Sequence, residues 1–363
     1  MVAVVAGEAL WLLGCDSGRK PAPETGAVDI LRLAPVKATD PRAAACAVCH
    51  AAIAAQWADS YHAKSWVDPL FAVSTGQRTQ AECLPCHAPE PILAKAWETQ
   101  PQPPGEEDPM RRCAFAPDGY PVLREKFRED GVSCLTCHDT GSHDCPRLEA
   151  PERRETLRAR LRDPLFCGAC HNPTHWVVDE WKTSRAAALK TGCMDCHMPT
   201  KLMAPATGEP TRMVRSHAFH SWRYPAEILM ALQTRVLLEG NRLELRLTNM
   251  AGHRIPGEVP DRALCIVAQA YDARDIRVLR ESTLLARPPK RGPADAQDTR
   301  LKPDETRVFA YDVPASAVTL EAKCYFRPLP YLFEEQSVHF FDRRWRRNPG
   351  TGNWEEVPVP SAP

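Results

Sequence analysis

The chain has 363 residues, a formal net charge of zero and 35 prolines. This length allows two domains, and the neutral balance gives no reason to expect a nucleic-acid partner. The proline content, about twice the ordinary usage, favours loops and short elements over long helices. The chain also contains 15 cysteines and 12 histidines, and their spacing carries most of the functional information.

The first 40 residues indicate an exported protein. Val2–Leu13 is mostly apolar, although Glu8 interrupts it and no basic residue precedes it. Leu12-Leu13-Gly14-Cys15 resembles a bacterial lipobox, and the residues after it are typical of a flexible tether. We expect residues 1–40 to be a signal or lipobox segment and linker. A lipid anchor at Cys15 would attach the protein to a membrane, and the alternative is an ordinary cysteine in a poor signal peptide.

A Cys-x-x-Cys-His spacing occurs five times in residues 41–225. In chain order, motifs 1 to 5 are Cys46-x-x-Cys49-His50, Cys83-x-x-Cys86-His87, Cys134-x-x-Cys137-His138, Cys167-x-x-Cys170-His171 and Cys193-x-x-Cys196-His197. This spacing attaches a c-type haem: both thiols bond to the haem, and the histidine becomes the proximal iron ligand. Zinc binding or a thioredoxin-like redox site would not require histidine after every second cysteine. The sequence therefore predicts five covalently bound haem c groups.

Covalent haem attachment takes place outside the cytoplasm, so we expect a periplasmic or other extracytoplasmic location. Between the motifs, Arg124–Asp130 and Pro151–Leu161 are predicted to be short charged helices. Gln56-Trp57-x-x-Ser60 and Glu180-Trp181-x-x-Ser184 share one pattern, and His62 follows the first copy. A segment with this many haems cannot have an ordinary side-chain core. We therefore predict a mostly α or irregular domain in which the haems supply the packing surface.

Seven histidines lie outside the motifs and are candidates for the distal iron ligands. A second axial histidine saturates the iron and favours electron transfer, whereas an open face can bind a substrate. The five expected distal ligands are His62, His143, His175, His217 and His253. The alternative for each is an ordinary buried or turn histidine. His220 competes with His217, and His339 is expected to be structural.

From about residue 226 the hydrophobic pattern changes to a period of two. The strand candidates are Leu243–Leu247, Leu264–Tyr271, Thr306–Val313 and Val318–Phe326. Several short strands separated by turns predict an all-β, immunoglobulin-like (Ig-like) sandwich over residues 226–345, with a flexible tail at 346–363. The predicted fold is therefore multidomain, with a mostly α or irregular multihaem cytochrome c domain followed by this all-β domain.

Four further cysteines lie outside both the motifs and the lipobox-like segment. Because an oxidising compartment allows disulfides, we predict the pairs Cys113–Cys145 and Cys265–Cys324.

Several segments resemble the multihaem cytochrome c family typified by cytochromes c-554 and c-552. They are Gly131-Val132-Ser133 before Cys134, Glu180-Trp181-Lys182-x-Ser184, Gly192-Cys193-x-Asp195-Cys196-His197-Met198-Pro199, Ser216-His217-x-Phe219 and Asn249-x-Ala251-Gly252-His253-x-x-Pro256. The resemblance covers most of residues 45–345 and implies a β-domain after the haem domain. Relatives often have a distal histidine where this chain has Ala186, and Pro-Thr-Gly where it has Pro256-Gly257-Glu258.

Together these features predict a pentahaem c-type cytochrome that transfers electrons along closely packed haems to or from a redox partner protein. The uniform histidine proximal ligand favours a non-catalytic carrier. The alternative is a multihaem oxidoreductase acting on a small nitrogen or sulfur compound at one five-coordinate haem, and Ala186 favours this alternative. As a third possibility, the β-domain is a docking or assembly module.

Overall fold

The computed structural model describes residues 33–92, 121–139, 151–172, 176–221, 229–258, 262–288, 297–329 and 332–359. These residues form helices and several antiparallel sheets in two compact units. The motif unit falls within Glu24–Asp179 and Leu189–His220, and the strand unit within Glu180–Ala188 and Ser221–Pro363. Within the described ranges, no helix is both long enough and apolar enough to span a membrane. The predicted leader, including Cys15, lies outside them.

All five motifs lie in the motif unit, which consists mainly of short helices. The described helices of the chain are α1 (Pro41–Cys49), α2 (Ala51–Asp59), α3 (Tyr61–Lys64), α4 (Pro69–Ser74), α5 (Leu84–His87), α6 (Cys134–His138), α7 (Pro151–Arg162), α8 (Pro164–His171), α9 (Val177–Lys182), α10 (Arg185–Ala188) and α11 (Cys193–His197). An antiparallel hairpin, β1 (Thr200–Met203) and β2 (Arg212–Arg215), follows α11. Helix α10 and the end of α9 belong to the strand unit.

Three helices of the motif unit begin at an Asp-Pro pair. Asp40, Asp68 and Asp163 each accept a hydrogen bond from the backbone N–H two residues later, at 2.8–2.9 Å, and a proline follows. An N-capping carboxylate followed by proline at the first helical position favours a helix start at that point. The starts of α1, α4 and α8 are thus encoded locally.

The two helix predictions between the motifs have different outcomes. Pro151–Leu161 is confirmed as α7. Arg124–Asp130 is not a helix, and only Arg128–Asp130 forms a single 3₁₀ turn. The reason is that the buried Arg124 guanidinium donates to the carbonyls of Phe127 (2.6 Å) and Gly131 (3.0 Å), which stabilises a loop.

The strand unit contains two antiparallel sheets. One has the order β3–β4–β7, formed by Leu232–Glu239, Arg242–Asn249 and Thr306–Asp312. The other has the order β10–β9–β8–β5–β6, formed by Trp354–Val357, Val338–Arg347, Thr319–Arg327, Ala263–Tyr271 and Arg277–Ala286. All four predicted strands are confirmed, as β4, β5, β7 and β8. Strand β10 lies within the predicted tail and pairs with β9.

The two sheets share one apolar core. Leu243, Leu245 and Leu247 of β4 are fully buried and belong to the same cluster as Ile266 of β5 and Leu320 of β8. The alternating pattern in β4 therefore predicted the buried face, because successive side chains of a strand point to opposite faces of the sheet. The Ig-like topology stays a prediction.

The predicted disulfide between Cys265 and Cys324 is wrong. The register pairs Cys265 with Tyr325 and Ile266 with Cys324 on the adjacent strands β5 and β8. Directly paired residues point to the same face of a sheet, so the two cysteines point to opposite faces. They accordingly belong to different apolar clusters. Cys113 and Cys145 lie outside the described residues.

Candidate functional site

Each Cys-x-x-Cys-His motif lies on a single helical segment. Motif 1 ends α1, with His50 directly after it. Motif 2 begins at Cys83, directly before α5, and motifs 3 to 5 lie on α6, α8 and α11. Residues three apart on a helix are neighbours on one face, so both thiols of a motif face the same way. Two thiols bonding to one haem require this arrangement.

Two of these short helices are capped at their N-terminus by a local hydrogen bond. Thr136 Oγ1 accepts from the Ser133 backbone N–H in α6 at 3.2 Å, and the Asp195 carboxylate accepts from the Gly192 N–H in α11 at 2.8 Å. Arg215 also pairs with Asp195 at 2.7 Å. These contacts fix the helical turns that present the thiols.

Among the described contacts, backbone carbonyls orient the motif histidines His50, His87 and His197. The Nδ1 contacts are His50 to Pro205 (2.6 Å), His87 to Ser65 (2.9 Å) and His197 to His220 (2.7 Å). When Nδ1–H donates to a carbonyl, Nε2 is the nitrogen left to bind a metal, and the ring orientation is set. His50, His87 and His197 are therefore oriented as metal-binding histidines usually are. The pKa of His87 is also lowered, mainly because the side chain is buried.

The other two motif histidines each lie close to a histidine from outside the motifs. The ring centroids are 6.1 Å apart for His62 and His171, and 6.1 Å apart for His138 and His217. Two axial Fe–N bonds of about 2.0 Å each, together with about 1.1 Å from each nitrogen to its ring centre, require about 6.2 Å. Both histidine pairs therefore fit the space that one haem iron needs between two axial ligands.

The environment of His62 also fits a ligand role. Its Nδ1 is buried and has no hydrogen-bond partner. An unsatisfied buried polar atom costs about 1–3 kcal/mol in an ordinary core, so such an atom points to a missing partner. Burial, followed by repulsion from His171, His197 and His87, lowers the pKa of His62 to about 3. The ring is therefore neutral, which is the form that binds metals.

His138 and His217 are also held in the neutral form. Burial, followed by His217 and His50, lowers the pKa of His138 to about 4. Burial also lowers the pKa of His217, whose Nδ1 donates to the Arg215 carbonyl at 3.0 Å. Gln56 Oε1 accepts from the His217 backbone N–H at 2.9 Å and so fixes the main chain at this residue.

The motifs contact one another in an order that differs from their order in the chain. A hydrogen bond between Cys170 and Cys86 lowers the pKa of the Cys86 thiol, and one between Cys167 and Cys193 lowers that of Cys193. Motif 4 thus lies against motifs 2 and 5. Motif 3 lies beside motif 1, since an ion pair of 2.9 Å joins Asp139, next to His138, to Arg42 of α1.

The remaining predicted ligands have separate outcomes. His143 and His175 lie outside the described residues. His253 lies in the strand unit, where its Nδ1 donates to the Arg254 carbonyl at 3.1 Å, and its ligand role stays a prediction. The His220 ring pairs with the Ser216 hydroxyl at 3.1 Å, so the structure favours His217 over His220 as the ligand.

The repeated Trp-x-x-Ser pattern is a helix start that the chain uses twice. Ser60 Oγ accepts from the Ala63 N–H at the start of α3 (3.2 Å), and Ser184 Oγ accepts from the Ala187 N–H at the start of α10 (3.4 Å). The two copies lie in different units, and Ala186 occupies in α10 the place that His62 has in α3.

Sequence reasoning missed the groups that orient the histidines. Carbonyl acceptors such as Ser65 O and Pro205 O leave no residue signature. Phe71 was also missed, although its ring stacks on His87 with centroids 3.6 Å apart and planes within 6°. The only available signal was the short distance in sequence between Trp66, Phe71 and motif 2.

No protein-family model and no curated protein sequence matches the chain. Among solved structures, it is similar to a penta-haem cytochrome c552 from Thermochromatium tepidum, with a TM-score of 0.50 and 18% identity over 85% of this chain and 99% of that chain. A protein named ApaA from Bordetella pertussis matches 31% of this chain and 87% of its own with 13% identity, but its TM-score of 0.18 supports no inference. The first similarity is one of fold alone, because the chain shares with that protein an overall arrangement of helices and antiparallel sheets.

Proposed function

We propose that the chain is a pentahaem c-type cytochrome that transfers single electrons to or from a redox partner protein. The observation that supports this most strongly is the pair of 6.1 Å separations between motif and non-motif histidines, which fit bis-histidine haem iron. Bound haem would supply the one-electron chemistry, while the chain supplies ligands, spacing and local electrostatics.

The proposed ligand roles follow from these contacts. The motif cysteines would attach haems 1 to 5, numbered as their motifs, and the motif histidines would be the proximal ligands. His62, which faces His171, would be the distal ligand of haem 4, and His217, which faces His138, that of haem 3. We propose His143, His175 and His253 as distal ligands for haems 1, 2 and 5 without assigning them individually.

The contacts between motifs also support a spatial arrangement of the proposed haems. Motif 1 lies beside motif 3, and motif 4 contacts motifs 2 and 5. The hydrogen bond with Cys193 and burial are the main causes of the raised pKa of the Cys167 thiol of motif 4, and the nearby Cys137 of motif 3 adds a smaller contribution. Motifs 1, 3 and 4 would therefore hold neighbouring haems, and motif 4 would bring the haems of motifs 2 and 5 next to this series.

The location and attachment are proposed from the same chemistry. Covalent haem attachment implies an exported protein, and the segment around Cys15 supports a lipid anchor to the membrane. The redox partner is expected to be another extracytoplasmic electron-transfer protein.

Electron paramagnetic resonance (EPR) of the oxidised protein, with haem quantified per chain, tests this function. We expect five haems, and low-spin signals from at least haems 3 and 4. H62A and H217A should each convert one haem to high spin, because each variant removes one axial ligand. H339A is the matched control in the strand unit and should leave every haem signal unchanged.

Three results would count against the carrier. Fewer than five haems per chain would contradict the cofactor assignment. Unchanged spin states in H62A and H217A would contradict the two distal ligands. A stoichiometric high-spin haem in the native protein that responds to nitrite or hydroxylamine would favour the oxidoreductase instead.

A further inference from the structure

Two four-residue segments of the motif unit each contact two haem sites. The first runs from His62 to Ser65 and the second from His217 to His220; we call them bracket A and bracket B. In each bracket the first residue faces a motif histidine, and the carbonyl of the fourth accepts Nδ1–H from a different motif histidine. Both brackets begin with His-Ala.

Bracket A joins the sites of haems 4 and 2. His62 faces His171 of motif 4, and the Ser65 carbonyl accepts Nδ1–H from His87 of motif 2 at 2.9 Å. The Ser65 hydroxyl lies 2.8 Å from both the His62 carbonyl and the His87 carbonyl and can donate to either. One serine therefore connects the backbone of the proposed haem 4 ligand to the backbone of motif 2.

Bracket B joins the sites of haems 3 and 5 in the same way. His217 faces His138 of motif 3, and the His220 carbonyl accepts Nδ1–H from His197 of motif 5 at 2.7 Å. The fully buried Ser216 fixes the bracket, because its hydroxyl pairs with the His220 ring at 3.1 Å.

Phe219 in bracket B connects the two brackets. Its ring meets the edge of His62 with centroids 4.0 Å apart and lies 6.2 Å from His217. Its φ of +49° is unfavourable for a bulky side chain, so tertiary contacts must maintain this conformation. The rings of both non-motif histidines thus pack on the same phenylalanine.

We propose that the brackets couple the reduction potentials of specific haem pairs, 4 with 2 and 3 with 5. The hydrogen bond from Nδ1–H to a carbonyl sets how strongly an imidazole donates to iron. A stronger hydrogen bond favours the oxidised state of that iron. In each bracket, the carbonyl that accepts Nδ1–H from the proximal histidine of one haem lies three residues from the proposed distal ligand of another haem. A displacement of that distal ligand therefore moves the carbonyl. Ser65 and Ser216 are positioning residues in this scheme, which rests on the proposed ligand assignments.

The test is a potentiometric titration of the full haem-loaded protein, followed by EPR. In S65A the loss of the hydroxyl loosens bracket A and weakens the His87 hydrogen bond. We expect the potentials of haems 2 and 4 to become more positive together, with haems 1, 3 and 5 unchanged. H62A identifies the haem 4 signal. F71L identifies that of haem 2, because Phe71 stacks on His87.

The matched control is S74A, since the Ser74 hydroxyl bonds only to the Phe71 carbonyl within its own helix at 3.1 Å, among the contacts described. S65T keeps a hydroxyl and should restore the native potentials. The coupling would be overturned if the reduction potential of only one haem of the pair shifted, or if the potentials of all five haems shifted. An equal shift of potentials in S74A would also overturn it.

Bracket B provides an independent measurement if S65A fails to load haem. S216A should shift the reduction potential of haem 3 together with that of one haem that is neither 2 nor 4. H217A identifies the haem 3 signal. A shift of haem 3 alone would overturn the proposal. Failure of this proposal can be distinguished from failure of the ligand assignments. If the ligand assignments are wrong, H62A and H217A will leave the haem spin states unchanged, whatever the serine variants do.

Discussion

The two units of this chain fill their interiors in different ways. The strand unit has a conventional core of fully buried leucines and aromatics from two sheets. In the described part of the motif unit, the buried apolar residues are mostly alanines, with only a few larger side chains such as Trp57, Phe71 and Phe166. One unit therefore has a side-chain core, whereas the described part of the other has few large apolar side chains of its own.

Buried polar groups form the second contrast. In the motif unit, the fully buried Asp130 carboxylate accepts from the Thr39 N–H (2.7 Å), the Thr39 hydroxyl (2.6 Å) and the Asp40 N–H (2.9 Å). Lys64, also fully buried, donates to the Asp59 carboxylate at 2.6 Å. Buried charges are tolerated only when they are paired or hydrogen-bonded in this way. Directional bonds thus position this unit where apolar packing is thin.

Removal of one haem attachment site should have the largest effect. We expect the double substitution of Cys167 and Cys170 by serine to unfold most of the motif unit, because motif 4 contacts motifs 2 and 5. Limited proteolysis should then cleave within residues 33–179 or 189–220 and leave the strand unit resistant. A variant that loses one haem but stays protease-resistant would show that the side chains alone are sufficient to keep the motif unit folded.

Substitution of Gly131 by alanine should have the next largest effect. Its φ is +55°, and an added Cβ would lie 2.6 Å from the Ala63 carbonyl and from Ser65 Oγ, which lie in the segment that carries His62. We expect G131A to abolish the low-spin signal of haem 4 in EPR. G208A is the matched control: its φ is +79° but nothing lies within 4 Å, so only a backbone cost of about 1–2 kcal/mol applies. Equal effects in both variants would contradict the steric explanation.

Truncation of a core leucine should affect only the other unit. L245A removes a fully buried side chain between the two sheets and should lower the free energy of unfolding of the strand unit by about 2–5 kcal/mol. Chemical denaturation followed by tryptophan fluorescence measures this loss, and the haem absorption spectrum should stay native. Concurrent loss of haem signals would show that the two units do not unfold separately.

A pH dependence of the strand unit should be the smallest effect. Burial is the largest single influence on His339 and would lower its pKa, but the hydrogen bond to Asp342, the Asp342 charge and the contacts with Glu334 together outweigh it and raise the pKa. This stabilisation is therefore fully present below pH ~6.5 and is lost as the pH rises through the raised folded-state pKa. We expect a loss below about 1 kcal/mol in thermal unfolding between pH 6 and 9. H339Q should show no such dependence, and a larger loss in H339Q would refute the assignment.

The sequence predicted local features better than relationships between segments. Motif spacing and alternating leucines depend on neighbouring residues, so the motifs, β4 and β8 were predictable. The pairing of His171 with His62, and of His138 with His217, depends on tertiary folding, which spacing does not encode. Arg124–Asp130 looked helical by composition, but Arg124 bonds to its own loop. The prediction of a Cys265–Cys324 disulfide failed because it rested on an oxidising compartment and on the number of cysteines left unassigned. Strand register decides which face of the sheet a thiol occupies.

The difference between chain order and spatial order has a consequence for biosynthesis. His62 precedes motif 4, so the ligand proposed for haem 4 would already have been synthesised before motif 4 itself. His217 follows motifs 4 and 5, so under the proposed assignment haem 3 would gain its second ligand only after nearly the whole motif unit has been synthesised. Until then, a haem held by motif 3 would have an iron face open to small molecules, which the residues after β2 would close in the finished protein.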